Sequence, residues 1–321
     1  MSKIIISFCI SILFAHSYLC AQSNAKNFFV KSDSFNHKRF VIASSFAGIS
    51  YSVFSIGLYS AWYKKNQLTK FHTFNDWSEW KHMDKFGHFY CSYFQSSLIN
   101  NGAKWTGLKD GPSLLWSIGI STLFQSTIEI FDAFNPKWGF SWSDIGANLL
   151  GSSFFLTQEK LWKEQRILVK FSSHKINYSS ESTMITNRVC TLYGSNILER
   201  LLKDYNAQVY WLSFNPIRTF NHKKTFWPEY INIAFGYGAQ GMYGGTKNEW
   251  KDSNGTFIQL SPTQYPRYNQ YYLALDLDLR KIPIRNKFLK TSLSILNIFK
   301  FPAPALEFNS FGKTKFHWLL F

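Results

Sequence analysis

Between Arg39 and Lys64 the chain carries no ionisable side chain except tyrosine phenols. A helix of that length, rising about 1.5 Å per residue, reaches across a hydrocarbon layer of about 30 Å. Ser, Gly and Ala recur along it and permit close helix packing. Two readings fit: a membrane-spanning helix, or the buried central helix of a globular domain. Composition bears on the choice. Aromatic residues make up 19% of the chain and charged residues 17%, against about 25% charge in an ordinary soluble domain. Rings that are apolar at one end and polar at the other suit a membrane interface, whereas the soluble alternative is a very aromatic core.

The N-terminus places Lys3, an apolar stretch over 4–14, then small and polar residues near Ala21. This is the layout of a secretory signal peptide, assigned to 1–22. Cys20 raises a lipoprotein alternative, but Tyr18 and Leu19 are large where a lipoprotein signal requires small residues. The mature chain would keep Cys91 and Cys190, enough for one disulfide and too few for a disulfide framework. A formal charge of +16 points to anionic surroundings, with membrane lipids the expected partner. Nucleic acid is not expected as a partner, because export removes the chain from the cytoplasm. A generally basic proteome is the plain alternative for the charge.

The expected plan is helices first and strands second. Helices are predicted over the apolar run, over 83–100, over 113–134 and from "SWSD" to about residue 159. "GLKDGP" and "NPKWGF" act as breakers. In 66–80, Phe71, Phe74, Trp77 and Trp80 stand at helical spacing and read as interfacial. Beyond about residue 165, "INIAFGYGA" and "YYLALDLDLR" alternate with period two, and "YNAQVYWLSF" is a third strand candidate. "SNILERLLKDY" reads as a helix and "GMYGGTKNEWKDSNG" as a loop. The expected class is therefore membrane-associated α+β, an N-terminal bundle of about four helices followed by a mostly antiparallel, β-rich half. The expected divisions are a helical, membrane-associated domain at 37–160 and a strand-rich domain at 161–321.

Acids sit among the apolar residues of the helical half. Asp84 and His88, four apart, share a helical face, as do Glu129 and Asp132, three apart. Asp144, Asn148 and Gly151 form one stripe on the last helix. Packed together, Asp84, His88, Glu129 and Asp144 would converge on a polar spot. An ionised group buried alone costs several kcal/mol, so such groups must meet one another or water. Each also has a plainer role. Ser141 and Asp144 fit a capping box, Asp84 suits the first turn of a helix, and His88 could be a core histidine. Glu129 lies about four turns into its helix and resists such explanations.

The segments "MDKFGHF", "STIEIFD" and "GFSWSDIGANLLG" together resemble the YfiM-like family of predicted periplasmic lipoproteins, and more distantly VanZ-like membrane proteins. Carried over residue by residue, the resemblance marks Asp84, Lys85, His88, Phe89, Glu129, Ser141, Asp144, Asn148 and Gly151. It implies an envelope location and architecture rather than a reaction.

The first functional expectation is a structural or assembly component embedded in, or apposed to, the outer membrane, with an envelope protein as a further partner. The terminal Phe321 and the oily strand faces lean that way. The alternative is a hydrolase or transferase acting on lipid or cell-wall intermediates. There, Asp84, His88, Glu129 and Asp144 supply acid and base, and Lys85 holds a phosphate. No G-x-S-x-G or H-E-x-x-H motif is present. No organic cofactor is expected; His82, Asp84 and His88 are candidate ligands for a divalent metal, at a spacing that matches no standard site. "RKIPIRNKFLK" could grip acidic lipids or a partner, or be a solvated loop.

Overall fold

The computed structural model describes residues 28–64, 67–178, 181–220, 227–252 and 254–320. The signal peptide assigned to 1–22, with Cys20, and the terminal Phe321 lie outside the described residues.

The apolar run forms helix α1 (His37–Leu58), started by the Asn36 side chain accepting from Arg39 N and continued by a π turn over Tyr59–Tyr63. The expected helices appear as α2 (Met83–Trp105), α3 (Asp110–Ala133) and α4 (Trp142–Trp162). The break between α2 and α3 comes at Gly107, whose φ of +87° suits glycine. Gly111 and Pro112, the last two residues of the "GLKDGP" breaker, instead lie in the first turn of α3, where proline is tolerated because its missing N–H has no helical partner. Residues 67–76 are not helical despite the spacing of their aromatics. Their backbone is spent on the α3–α4 loop: Phe74 N donates to Phe140 O (3.0 Å) and His72 N to Ala133 O (3.1 Å). Only Glu79–His82 makes a 3₁₀ turn, with Trp80 and Lys81 at positive φ.

The second half is a six-stranded antiparallel meander carrying short helices. In chain order it runs β1 (Ile167–Ser173), α5 (Thr183–Tyr193), α6 (Ile197–Lys203), β2 (Gln208–Phe214) and α7 (Pro216–Phe220). It continues with β3 (Ile231–Gln240), β4 (Glu249–Lys251), β5 (Phe257–Gln259), β6 (Tyr268–Leu277), α8 (Lys287–Leu296), β7 (Ala303–Asn309) and β8 (Thr314–Leu320). The sheet order is β1-β2-β3-β6-β7-β8, and β4-β5 is a separate hairpin inside the stretch expected to be loop. The outer edge of β1 is covered by the segment leading into β7. Phe171 N donates to Ile298 O (3.0 Å) and Lys300 N to Phe171 O (2.9 Å). Cys91 and Cys190 are both free, so the disulfide that two cysteines allowed does not form.

Both halves bury polar groups and present apolar ones. On the sheet, the rung Leu212–Phe235–Leu273–Leu306–Phe316 crosses five strands in register, and every member is exposed. The opposite face holds Ser213, Asn232, Gln270, Asp276 and Glu307, all buried. There Lys170 Nζ meets Asp276 Oδ2 at 2.7 Å with neither side chain exposed. Gly236 lies under the Trp211 ring, where a Cβ would come within 2.6 Å of Cε3. In the bundle, α3 points Ser113, Ser117, Ser121 and Gln125 inward at intervals of four, and turns Leu115 (75% exposed), Trp116, Leu123 and Ile130 outward. The α2–α4 contact is likewise polar: Ser92 Oγ lies 2.5 Å from Ser152 Oγ and donates to Asn148 O (2.6 Å). α1 buries none of its residues, and α1 and α3 are each long and apolar enough to cross a membrane.

One apolar cluster joins the two halves. Met83, Tyr90, Tyr93 and Phe155 of the helices pack with Val169, Phe171 and Tyr210 of the sheet and with Ala239 and Met242. This contact fixes the mouth of α2 against β2, and so brings Tyr205 to the helical acids.

Candidate functional site

The acids converge at one end of the bundle, where α2 and α4 begin and α3 nears its end. Asp84 sits in the first turn of α2, and Lys85 and His88 follow on the side facing α3 and α4. Ser141 caps α4, its Oγ accepting from Asp144 N (3.1 Å), so the capping role read from the sequence is present. The Asp144 carboxylate does not complete a reciprocal box; it reaches across to α2.

Lys85 is the electrostatic centre. Its Nζ lies 2.6 Å from Asp144 Oδ1, 2.8 Å from Asp76 Oδ2 and 3.0 Å from Asp84 Oδ2. Burial alone would lower its pKa, but the surrounding carboxylates of Asp84 and Asp144 outweigh burial and raise it. The ammonium is thus saturated within the chain, unlike the phosphate-holding role expected for it. Asp76 also accepts from Ser141 Oγ (2.7 Å) and Ser143 Oγ (2.6 Å). Burial opposes ionisation of Asp76, yet its hydrogen bonds, with Asp144, Lys85 and the two serines, hold its carboxyl well below the usual range.

His88 faces the other side of the cluster. Its Nε2 stands 3.8 Å from Asp144 Oδ1, 3.8 Å from Glu129 Oε1 and 3.9 Å from Asp84 Oδ1. Its Nδ1 is 3.2 Å from Asn148 Oδ1. Burial pulls the imidazole down in pKa, but the charges of Asp144, Asp84 and Glu129 overcome it and push it up to about 9. Glu129 is 1% exposed. Its Oε2 accepts from Ser141 N (3.1 Å), while Oε1 is buried with no hydrogen-bond partner. Tyr205 OH, supplied from the turn before β2, donates to Asp84 Oδ1 at 2.7 Å.

Asp84, Lys85, His88, Glu129, Ser141, Asp144 and Asn148 are therefore brought together. Gly151 lies one turn beyond Asn148, where a Cβ would collide with the Phe89 carbonyl, so it sets how closely α2 and α4 approach. His82 is not part of the group: it takes a left-handed conformation (φ 65°) before α2, and its ring packs on Trp77 at 5.2 Å. Asp132, on the Glu129 face, accepts from Tyr63 OH (2.6 Å) instead. Asp76, Ser143 and Tyr205 were not singled out from the sequence. No periodic pattern links Asp76, in an extended segment, or Tyr205, more than a hundred residues on, to the helical acids. The basic run expected to grip lipid is partly committed internally. Arg280 pairs with Asp278 (2.7 Å) and Lys281 with Glu164 (3.4 Å), whereas Arg285, Lys287 and Lys290 are exposed.

No similar curated protein and no similar solved structure was found. Residues 73–158 match the model of a family described as "Predicted periplasmic lipoprotein (DUF2279)". That stretch contains each cluster residue except Tyr205. It covers a little over a quarter of the chain and supports an exported, cell-envelope location.

Proposed function

We propose that the chain is a lipid-embedded structural or assembly component of the cell envelope, placed in or against the outer membrane. The observation that carries this reading is the reversed polarity of both halves. Serine, glutamine and carboxylate groups lie inside, and the exposed surface presents the outward faces of α1 and α3 and the five-strand apolar rung. Monomers in water seldom expose continuous apolar patches of more than a few hundred Å², and such patches mark membrane or protein contact. A sheet that is polar within and apolar without is the arrangement of outer-membrane barrels, which favours the outer over the inner membrane. Resemblance to YfiM-like proteins, with a more distant VanZ-like likeness, supports the envelope part of this reading. Membrane lipids are the partner the surface requires, and a further envelope protein is compatible with it.

Separation of inner and outer membranes, followed by an alkaline carbonate wash, tests the reading. The full chain is expected to stay with washed outer membrane; release into the soluble fraction would overturn it.

A second reading is favoured by one observation, the convergence of His88 with three carboxylates from three helices. It is a hydrolase or transferase acting on lipid or cell-wall intermediates, with His88 as base. Under it, His88→Gln folds and stays in the membrane but fails to complement a deletion strain. Full complementation by that variant would discard it.

A further inference from the structure

We infer that Asp84, His88 and Asp144 bind one divalent cation, Zn²⁺ or Mn²⁺, with Glu129 Oε1 closing in to complete the set and so pinning α2, α3 and α4 at one end of the bundle. The inference rests on side-chain geometry alone and stands independently of where the chain resides.

The three carboxylate oxygens around His88 Nε2 lie at 3.8–3.9 Å. That is too far for a hydrogen bond, which needs about 2.7–3.2 Å from nitrogen to oxygen. Neighbouring ligands at about 2.0–2.3 Å from a shared ion, by contrast, stand roughly 3–4 Å apart. The ligand atoms of Asp84, His88 and Asp144 all fall within 4.8 Å of one another; Glu129 stands outside that group, near His88 alone, and its Oε1 has to move inward to reach the same ion.

Glu129 supplies an independent indication. Its Oε1 is buried without a hydrogen-bond partner and lies 3.8 Å from the same imidazole nitrogen. A buried carboxylate oxygen with no hydrogen bond and only a distant imidazole for company is poorly compensated, and a directly bound cation would satisfy it. Lys85 cannot, because its ammonium is engaged by Asp76, Asp84 and Asp144.

Asn148 prepares the histidine. With Asn148 Oδ1 accepting from Nδ1–H, displacement of the Nε2 proton by an incoming cation leaves the ring's lone pair on Nε2, toward the three carboxylates. Metal-bound histidines are oriented by such an outer partner. One imidazole with three carboxylates suits Zn²⁺ or Mn²⁺ better than soft, thiolate-seeking ions. Four carboxylates, counting Asp76, gather round the Lys85 ammonium and the His88 imidazole, and a dication that displaces the imidazole's acidic proton still lowers the repulsion among them.

The test uses full-length chain purified in detergent, stripped with EDTA and titrated with Mn²⁺. Disappearance of the free-ion paramagnetic resonance signal reports binding, and Zn²⁺ is the competitor. One equivalent of Mn²⁺, displaced by Zn²⁺, is expected. Glu129→Gln should weaken binding by at least a hundredfold. Asn148→Ala, which removes no ligand, should weaken it by about 10–100-fold, and Asn148→Asp should restore it. Failure of wild-type chain to take up either ion at millimolar concentration overturns the site without recourse to variants. So does uptake that is indifferent to the Asn148→Ala and Asn148→Asp pair, a comparison that decides the matter even if Glu129→Gln does not fold.

Discussion

At the scale of single residues, Lys85 shows how the bundle tolerates its charges. Three carboxylates from two helices and an extended segment share one ammonium whose side chain is 8% exposed. Removing one partner of a buried ionic group typically costs about 3–5 kcal/mol, because the rest is left uncompensated. Lys85→Met should therefore lower stability by that order, read as a fall in the thermal midpoint of the detergent-solubilised chain. Gly151→Val should act sterically, forcing α4 away from the Phe89 carbonyl at a cost of about 1–3 kcal/mol. It is checked by the same unfolding measurement. Much of this site was legible in advance. Asp84, His88, Glu129, Asp144, Asn148 and Gly151 lie on helices, where spacing states which side chains share a face. Asp76 and Tyr205 were not legible, because extended and turn segments carry no such rule. His82 was misplaced for a local reason: its left-handed backbone turns it out of the helical register.

At the scale of elements, alternation revealed strands without revealing which face turns inward. The inner face of β3 and β6 is built from Asn232, Ala234, Gly236, Tyr272, Ala274 and Asp276. The larger aliphatic and aromatic residues of those strands are left outside. β1, β7 and β8 were harder to see, since β1 places Lys170 within an apolar run and β7 alternates around two small alanines. Substitutions on the two faces should accordingly behave in different ways. Ala234→Leu, against the packed interior, should destabilise by about 1–3 kcal/mol, measured by denaturation in detergent. Leu273→Asp, in the exposed rung, disturbs no interior contact and should cost up to about 2 kcal/mol where detergent covers that face, against no more than about 0.5 kcal/mol if water covers it. The same variant should lower the fraction of chain that rises with liposomes in a flotation assay.

At the scale of the whole molecule, helices and sheet were foreseeable as separate texts, but their union was not. It depends on contacts such as Tyr90 with Phe171 (5.7 Å between rings) and Phe86 with Tyr237 (4.6 Å), pairs far apart along the chain. Residues 73–158, expressed alone, would bare Met83, Tyr90, Tyr93 and Phe155 and would forfeit the Tyr205 hydroxyl on Asp84. Such a fragment is expected to lose the cooperative melting of the full chain, as followed by circular dichroism. The shared apolar seam thus ties the stretch that matches the family model to its neighbours. Whatever the acidic end of the bundle does, the meander is its scaffold, and damage to a distant strand will be felt there.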